Sequence, residues 1–214
     1  MPSIQRMIAE GEHQQQDFKY EISSACKIAR SLSAFANTDG GRLLIGVKDN
    51  GAIAGVRSDE EMYMVEAAGA VWCDPPVQTR MTAYRVEGKT VVVAAIDPAM
   101  RRPVKAKLED GTYRAFIRIA DENIMASPVQ MALWRSEGDA NGTLVAFDDD
   151  ERRLLRLITD NGPLTLNQFC RRGRVTRPKA VRLLATFIRF RVAEELFRGH
   201  QFLYGSPSPL PTGK

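Results

Sequence analysis

The segment Ala34-Phe35-Ala36-Asn37-Thr38-Asp39-Gly40-Gly41-Arg42-Leu43-Leu44-Ile45-Gly46-Val47 constrains the fold of this chain more than any other. Leading into it, Ala25, Ile28, Ala29, Leu32, Phe35 and Ala36 recur at helical spacing, with Ser23 or Ser24 available as the N-cap. Asn37 to Gly41 ends that helix, because glycine adopts the left-handed conformation at little cost. Leu43 to Val47 is a short apolar run between turn residues, which suits a central strand covered on both faces. Before the helix, Asp17 to Ile22 alternates Phe18, Tyr20 and Ile22 with Asp17, Lys19 and Glu21, the pattern of a half-buried strand. After the central strand, Asp49-Asn50-Gly51 turns the chain into a hairpin with Ala52 to Val56. Strand, helix, glycine turn and buried strand in this order bring Asp17, Lys19, the Gly40 and Gly41 amides and Asp49 to one small surface. That surface is a candidate site.

This stretch resembles the AlbA-type domain of the Schlafen family, a nucleic-acid-binding domain of bacterial regulators and of the animal Schlafen proteins. The resemblance continues through Tyr113-Arg114-Ala115-Phe116-Ile117-Arg118-Ile119-Ala120 and Glu122-Asn123-Ile124-Met125-Ala126-Ser127, similar to the family's last strand and the turn into its final helix. It covers residues 5 to 137. Glu12, Asp17 and Asp49 match the three carboxylates of the endonuclease Schlafens, which implies cleavage of structured RNA with a divalent ion. Clustered carboxylates can hold Mg²⁺ or Mn²⁺ against a scissile phosphate, and Lys19 can balance the developing charge. At position 17 family members more often carry Glu, so this carboxylate has a shorter reach. The competing reading of the same residues is a surface ion pair between Asp17 and Lys19, with Asp49 serving only its turn. Outside the nuclease reading no cofactor is expected.

At 214 residues, 44% of them apolar, the chain suits one large or two small domains with a real core. No run is long and apolar enough for a membrane span, and no secretory leader is evident, so a cytoplasmic location is expected. Cys26, Cys73 and Cys170 lack the paired spacing of a zinc site or disulfide framework and are read as reduced. With His13 and His200 the only histidines, a histidine metal site or a serine triad is disfavoured. Gly88-Lys89-Thr90 resembles the end of a phosphate-binding P-loop, but Ala83 stands where that loop needs glycine, and strands rather than a strand and a helix flank it. ATP hydrolysis by this motif is rejected.

Further along, Ser58-Asp59-Glu60-Glu61 reads as a capping box opening a helix to Trp72. Two hairpins follow, Met81–Val86 with Lys89–Ile96 and Val104–Leu108 with Thr112–Ile119, and then a helix from Ser127-Pro128 to Trp134. The fold class is therefore α+β, a mixed sheet with flanking helices over residues 1–137. Residues 138–147 read as a polar linker. Residues 148–205 read as helix, helix, helix and hairpin, which resembles a small winged helix-turn-helix domain, and residues 206–214 as a disordered tail.

Charge is segregated between these parts. Residues 161–214 carry ten Lys or Arg against Glu194 and Glu195, a net of +8, while the preceding residues sum to −4. On the third helix of the second domain Val181, Leu184 and Ile188 share one stripe, whereas Lys179, Arg182, Thr186 and Arg189 share the other face. Such a helix can enter a major groove with Arg177, Lys179 and Arg182 nearest the bases and Arg171, Arg172, Arg174 and Arg198 on phosphates. In the first domain Arg114 and Arg118 can grip phosphate beside a stacking Phe116, or Phe116 can be core with the arginines turned inward. Gly40 and Gly41 can offer amides to a phosphate, or serve as a plain helix cap. The reading is a nucleic-acid-binding protein, first of all a DNA-binding transcriptional regulator. A metal-dependent ribonuclease and a protein-interaction module are its alternatives. The expected partner is DNA, with RNA as the other polyanion and homodimerisation suited to a palindromic site.

Overall fold

The apolar run of the central motif forms the middle of a mixed sheet. The structure, a computed structural model, describes residues 3–137 and 148–207. The chain divides into two compact units, Met1–Ala126 and Ser127–Lys214. The linker read at 138–147 lies outside the described residues, as does the tail beyond Pro207.

Unit 1 runs α1 (Ile4–Glu10), β1 (Gln16–Lys19), α2 (Ala25–Asn37), β2 (Gly41–Ile45), α3 (Glu60–Val71), β3 (Cys73–Asp74), β4 (Thr79–Val86), β5 (Lys89–Ile96), β6 (Lys105–Lys107), β7 (Tyr113–Ile119) and β8 (Glu122–Met125). One sheet has the order β1-β2-β5-β4, with β1 parallel to β2 and the other pairs antiparallel. Parallel neighbours need a long crossover, and the thirteen residues of α2 supply it. The other sheet, β3-β6-β7-β8, is antiparallel. Leu43 and Ile45 join a core shared with α2 and Phe116, while Leu44 faces the opposite cluster with Ile4, Met7 and Phe18. Two covered faces explain why this strand is apolar without alternation.

Several local readings are corrected. The β1 strand stops at Lys19, whose carbonyl accepts the Gly46 amide at 2.8 Å, and Tyr20 is exposed between Lys48 and Arg57 rather than buried with Phe18. The turn at Asp49-Asn50-Gly51 leads only to an isolated bridge, Val47 to Ile53, because Gly46 accepts the amides of Ala54 and Gly55 and bends the segment away from a ladder. No capping box opens α3. Glu61 is instead buried and accepts the amides of Arg57 at 2.8 Å and Ile22 at 3.1 Å, tying the helix to the chain after β1.

Unit 2 runs α4 (Pro128–Glu137), α5 (Asp149–Asn161), β9 (Leu164–Thr165), α6 (Leu166–Gly173), α7 (Arg177–Arg189), β10 (Glu194–Arg198) and β11 (Gln201–Gly205). Capping boxes at Asp148 with Glu151 and at Thr165 with Gln168 start α5 and α6. A three-stranded antiparallel sheet, β10-β11-β9, closes on the helices around Leu154, Ile158, Phe169, Leu184, Phe187 and Tyr204. The helix assigned from sequence to the end of the first domain packs against α7, and its Val129, Ala132 and Leu133 belong to this second core. On α7 the buried residues are Ala180, Leu183, Leu184, Ala185 and Phe187, a wider stripe than Val181, Leu184 and Ile188, because α4 covers a further side.

Glu195 lies within this unit and accepts hydrogen bonds from the hydroxyls of Ser127 and Tyr204. Burial raises its carboxyl above the ordinary range, outweighing both hydrogen bonds, which lower it. A raised native pKa favours folding while the group is protonated, and that contribution fades as pH climbs through the native value. Glu195→Gln keeps an acceptor without the charge. The expected result is that wild-type stability falls relative to Glu195→Gln as pH rises above the ordinary carboxylate range, read from thermal midpoints of both proteins. Parallel pH profiles would rule this out.

Candidate functional site

The surface foreseen around the glycine turn proves to be largely a set of fold contacts. Asp17 is 4% exposed, its two oxygens facing Lys19 Nζ at 2.7 Å and Arg118 Nη2 at 3.5 Å. Lys19 also donates to the Phe18 carbonyl at 2.8 Å. Glu12 accepts the Phe18 amide at 2.8 Å. Burial first, and then a hydrogen bond with Asp17, raise the Glu12 carboxyl above its ordinary value. Glu12 and Asp17 are thus brought together. Asp49 sits in its exposed turn, and among the described residues no group of three or more His, Cys, Asp or Glu side chains is gathered to hold a metal ion. With Asp17 already neutralised by two cations, these residues do not fit the divalent site that the endonuclease resemblance implied.

The glycine pair also serves the backbone. Gly40, at φ +68°, donates its N–H to Phe35 O at 2.9 Å, so that amide is committed to the helix cap rather than to a phosphate. A Cβ there would stand 2.7 Å from Ile96 O, and one at Gly41 would collide with the Phe35 ring. Gly41 is part of β2, opposite Ile96.

Of the pair on β7, Arg114 is exposed and Arg118 is not. Phe116 is core at 8% exposure, and Arg118 turns inward at 2%, donating to Asn123 Oδ1 at 3.0 Å and Gln16 O at 3.1 Å over the face of Phe35. Arg118 is therefore corrected from a nucleic-acid contact to an internal brace. Buried beside Asp17, it gives that carboxylate a second cation in addition to Lys19.

Sequence reading missed a cleft of about 490 Å³ beside this network, lined by Lys19, Lys27, Arg30, Phe116 and Asn123, with Glu122 also on it. Arg30 lies 6.0 Å from the Phe116 ring centroid. The available signal was Lys27 and Arg30 three residues apart at the start of α2, hence on one face, next to the end of β1.

In unit 2, Arg171, Arg172, Arg174, Arg177, Arg182, Arg189 and Arg198 are all exposed, and Lys179 is half-buried. Arg174 takes the left-handed conformation that caps α6, so the chain turns sharply into α7. Arg177 is steadied by Asn167 at 2.7 Å and Arg172 by Asn161 at 3.2 Å, both neutral partners. Among the described residues none of these seven arginines is in an ion pair. Their charge remains uncompensated, which a polyanion can use.

Residues 12–127 match the family described as Schlafen, AlbA_2. The chain belongs to this family. No curated protein matches it. Among solved structures, the DIP2311 protein of Corynebacterium diphtheriae is similar at 18% identity and TM-score 0.49, over 89% of this chain and 34% of that one. The N-terminal domain of an ATP-dependent DNA helicase RecG-related protein from Nitrosomonas europaea is similar at 20% identity and TM-score 0.43, over 70% of this chain and 97% of that one. The chain thus spans about a third of the length of the first of these. In this Schlafen AlbA_2 chain the Ala-Phe-Ala-Asn-Thr motif has a fold role. Asn37 and Ser33 on α2 satisfy the buried backbone of Val104 and Phe116, and Thr38 Oγ1 accepts the Arg118 amide at 2.9 Å. Among the described residues no helix is long and apolar enough to cross a membrane.

Proposed function

We propose that this protein binds nucleic acid and that its second unit is a winged helix-turn-helix acting on duplex DNA, as in a transcriptional regulator. The observation that carries this reading is the exposed arginine set on and before α7, uncompensated by carboxylates. Support also comes from the element order, in which α6 and α7 are joined by a tight turn and followed by the β10–β11 hairpin. In unit 1, Arg114 and the cleft of Lys19, Lys27 and Arg30 are suited to added backbone contacts, which position without reading sequence. The ribonuclease alternative has no gathered set of three carboxylates behind it among the described residues.

Fluorescence anisotropy of a labelled duplex, titrated with the full chain, tests the reading. Arg182→Glu is expected to weaken binding by about tenfold or more, and wild-type affinity is expected to fall steeply with added salt. Wild-type affinity in the variant would overturn docking through α7. Binding of single-stranded RNA but no duplex would overturn the DNA assignment, and binding of neither would leave a protein partner for the basic face.

A further inference from the structure

The outer side of α7 is not a plain basic surface. Between it and α4 lies a groove of about 540 Å³, within the range of small-molecule pockets. Its walls are apolar, formed by Ala132, Pro178, Val181, Ala185 and Phe190. Arg135, Arg177, Arg182 and Arg189 also line it, and among the described residues no carboxylate does. Phe190 is 43% exposed, a large apolar side chain left open at this recess. Arg177 is held by Asn167, and Arg135 Nε donates to its own helix at Met131 O, whereas the guanidinium groups of Arg182 and Arg189 have no protein partner among the described residues.

A DNA backbone explains arginines but not an apolar recess of this volume between them, because phosphates are polar and the apolar group a base edge offers, the thymine methyl, is too small to fill it. An apolar body carrying an acid group uses both features. Its hydrocarbon part covers Val181, Ala185 and Phe190, and its carboxylate pairs with Arg182 or Arg189 in the forked geometry that guanidinium favours. We propose that this groove binds a small organic anion with an apolar body, an acyl or aryl carboxylate, and that the bound anion competes with DNA for Arg182 and Arg189. The ligand site stands on the groove alone. Only the competition rests on the function proposed above.

The test uses the full chain and 8-anilino-1-naphthalenesulfonate, a fluorescent apolar anion, with dodecanoate as the displacing carboxylate. The expected result is a single saturable dye site that dodecanoate empties. Arg182→Gln combined with Arg189→Gln is expected to weaken the dye by about tenfold, while Arg171→Gln combined with Arg172→Gln, the same charge change outside the groove, leaves it unchanged. Phe190→Ala, which alters no charge, is expected to weaken the dye as well. Thermal midpoints measured without dye separate these effects from misfolding. Equal losses in both arginine pairs would mean bulk charge and overturn the site, as would wild-type dye affinity in Phe190→Ala or no dye binding at all. A dimer that Phe190→Ala dissociates, with no dye bound, would place a second copy in the groove and also overturn it. If dye binds in the groove but dodecanoate leaves a bound duplex undisturbed, the competition falls. If dye binds and no duplex does, the site stands and the DNA reading fails.

Discussion

Arg118→Met is expected to destabilise unit 1 by about 2–6 kcal/mol, because it strands two buried or part-buried acceptors, at about 1–3 kcal/mol each, and leaves Asp17 with Lys19 as its remaining counter-charge. The Arg118 side chain is 1% exposed and that of Asp17 5% exposed, and the guanidinium also donates to Asn123 Oδ1 and to the Gln16 carbonyl. Methionine matches much of the arginine stem in volume, so the loss isolates charge and hydrogen bonds rather than a cavity. Set against a domain stability of about 5–15 kcal/mol, such a change removes much of the margin. Urea unfolding of wild type and variant, followed by circular dichroism, measures it. A nucleic-acid contact at this position would give the opposite pattern, an unchanged midpoint with weakened binding, and that outcome would refute the internal role.

Asn37→Leu is the second large effect expected. Asn37 is 3% exposed. Its Nδ2 donates to Val104 O at 2.7 Å and Phe116 O at 2.9 Å, and its Oδ1 accepts the Val104 amide at 2.7 Å. These bonds join the last residue of α2 to the second sheet at β7 and at the entry to β6. Leucine fills a similar space but satisfies none of them, and a buried backbone group left unpaired costs about 1–3 kcal/mol. Ser33 Oγ still donates to Val104 O, which limits the loss at that carbonyl. With the Val104 amide and the Phe116 carbonyl stranded, the expected total is about 2–6 kcal/mol. Native-state hydrogen exchange locates it, since the Val104 amide should lose protection more than amides in the middle of β5. Unaltered protection at Val104 together with an unaltered midpoint would show that water replaces the side chain.

These two residues mark where the sequence was legible and where it was not. The helix from Ala25, its stop at the glycines and the apolar strand of Leu43 to Ile45 are local consequences of periodicity and of glycine's backbone freedom, and they could be read directly. Asn37 was visible as part of a helix stop, but its bonding partners lie 67 and 79 residues away and no local pattern announces them. Arg118 alternates along β7 with Arg114, so strand periodicity gives both the same face. What separates them is the surroundings, since Arg118 meets Asp17 and the Phe35 ring, while Arg114 meets solvent.

The same division holds for the candidate sites. By itself the sequence determined α2, β2, the β4–β5 and β6–β7 hairpins, α5, α6, α7 and the final hairpin of unit 2, the segregation of charge toward residues 161–214 and the basic face of α7, because spacing and net charge are properties of the chain. Only the tertiary structure decided that Asp17 is neutralised by Lys19 and Arg118, that Lys27 and Arg30 share a cleft with Lys19, and that α4 leaves an apolar groove beside Arg182 and Arg189. The reason is physical: the charge state and accessibility of a side chain depend on what is packed against it, and those neighbours come from parts of the chain that only folding brings together.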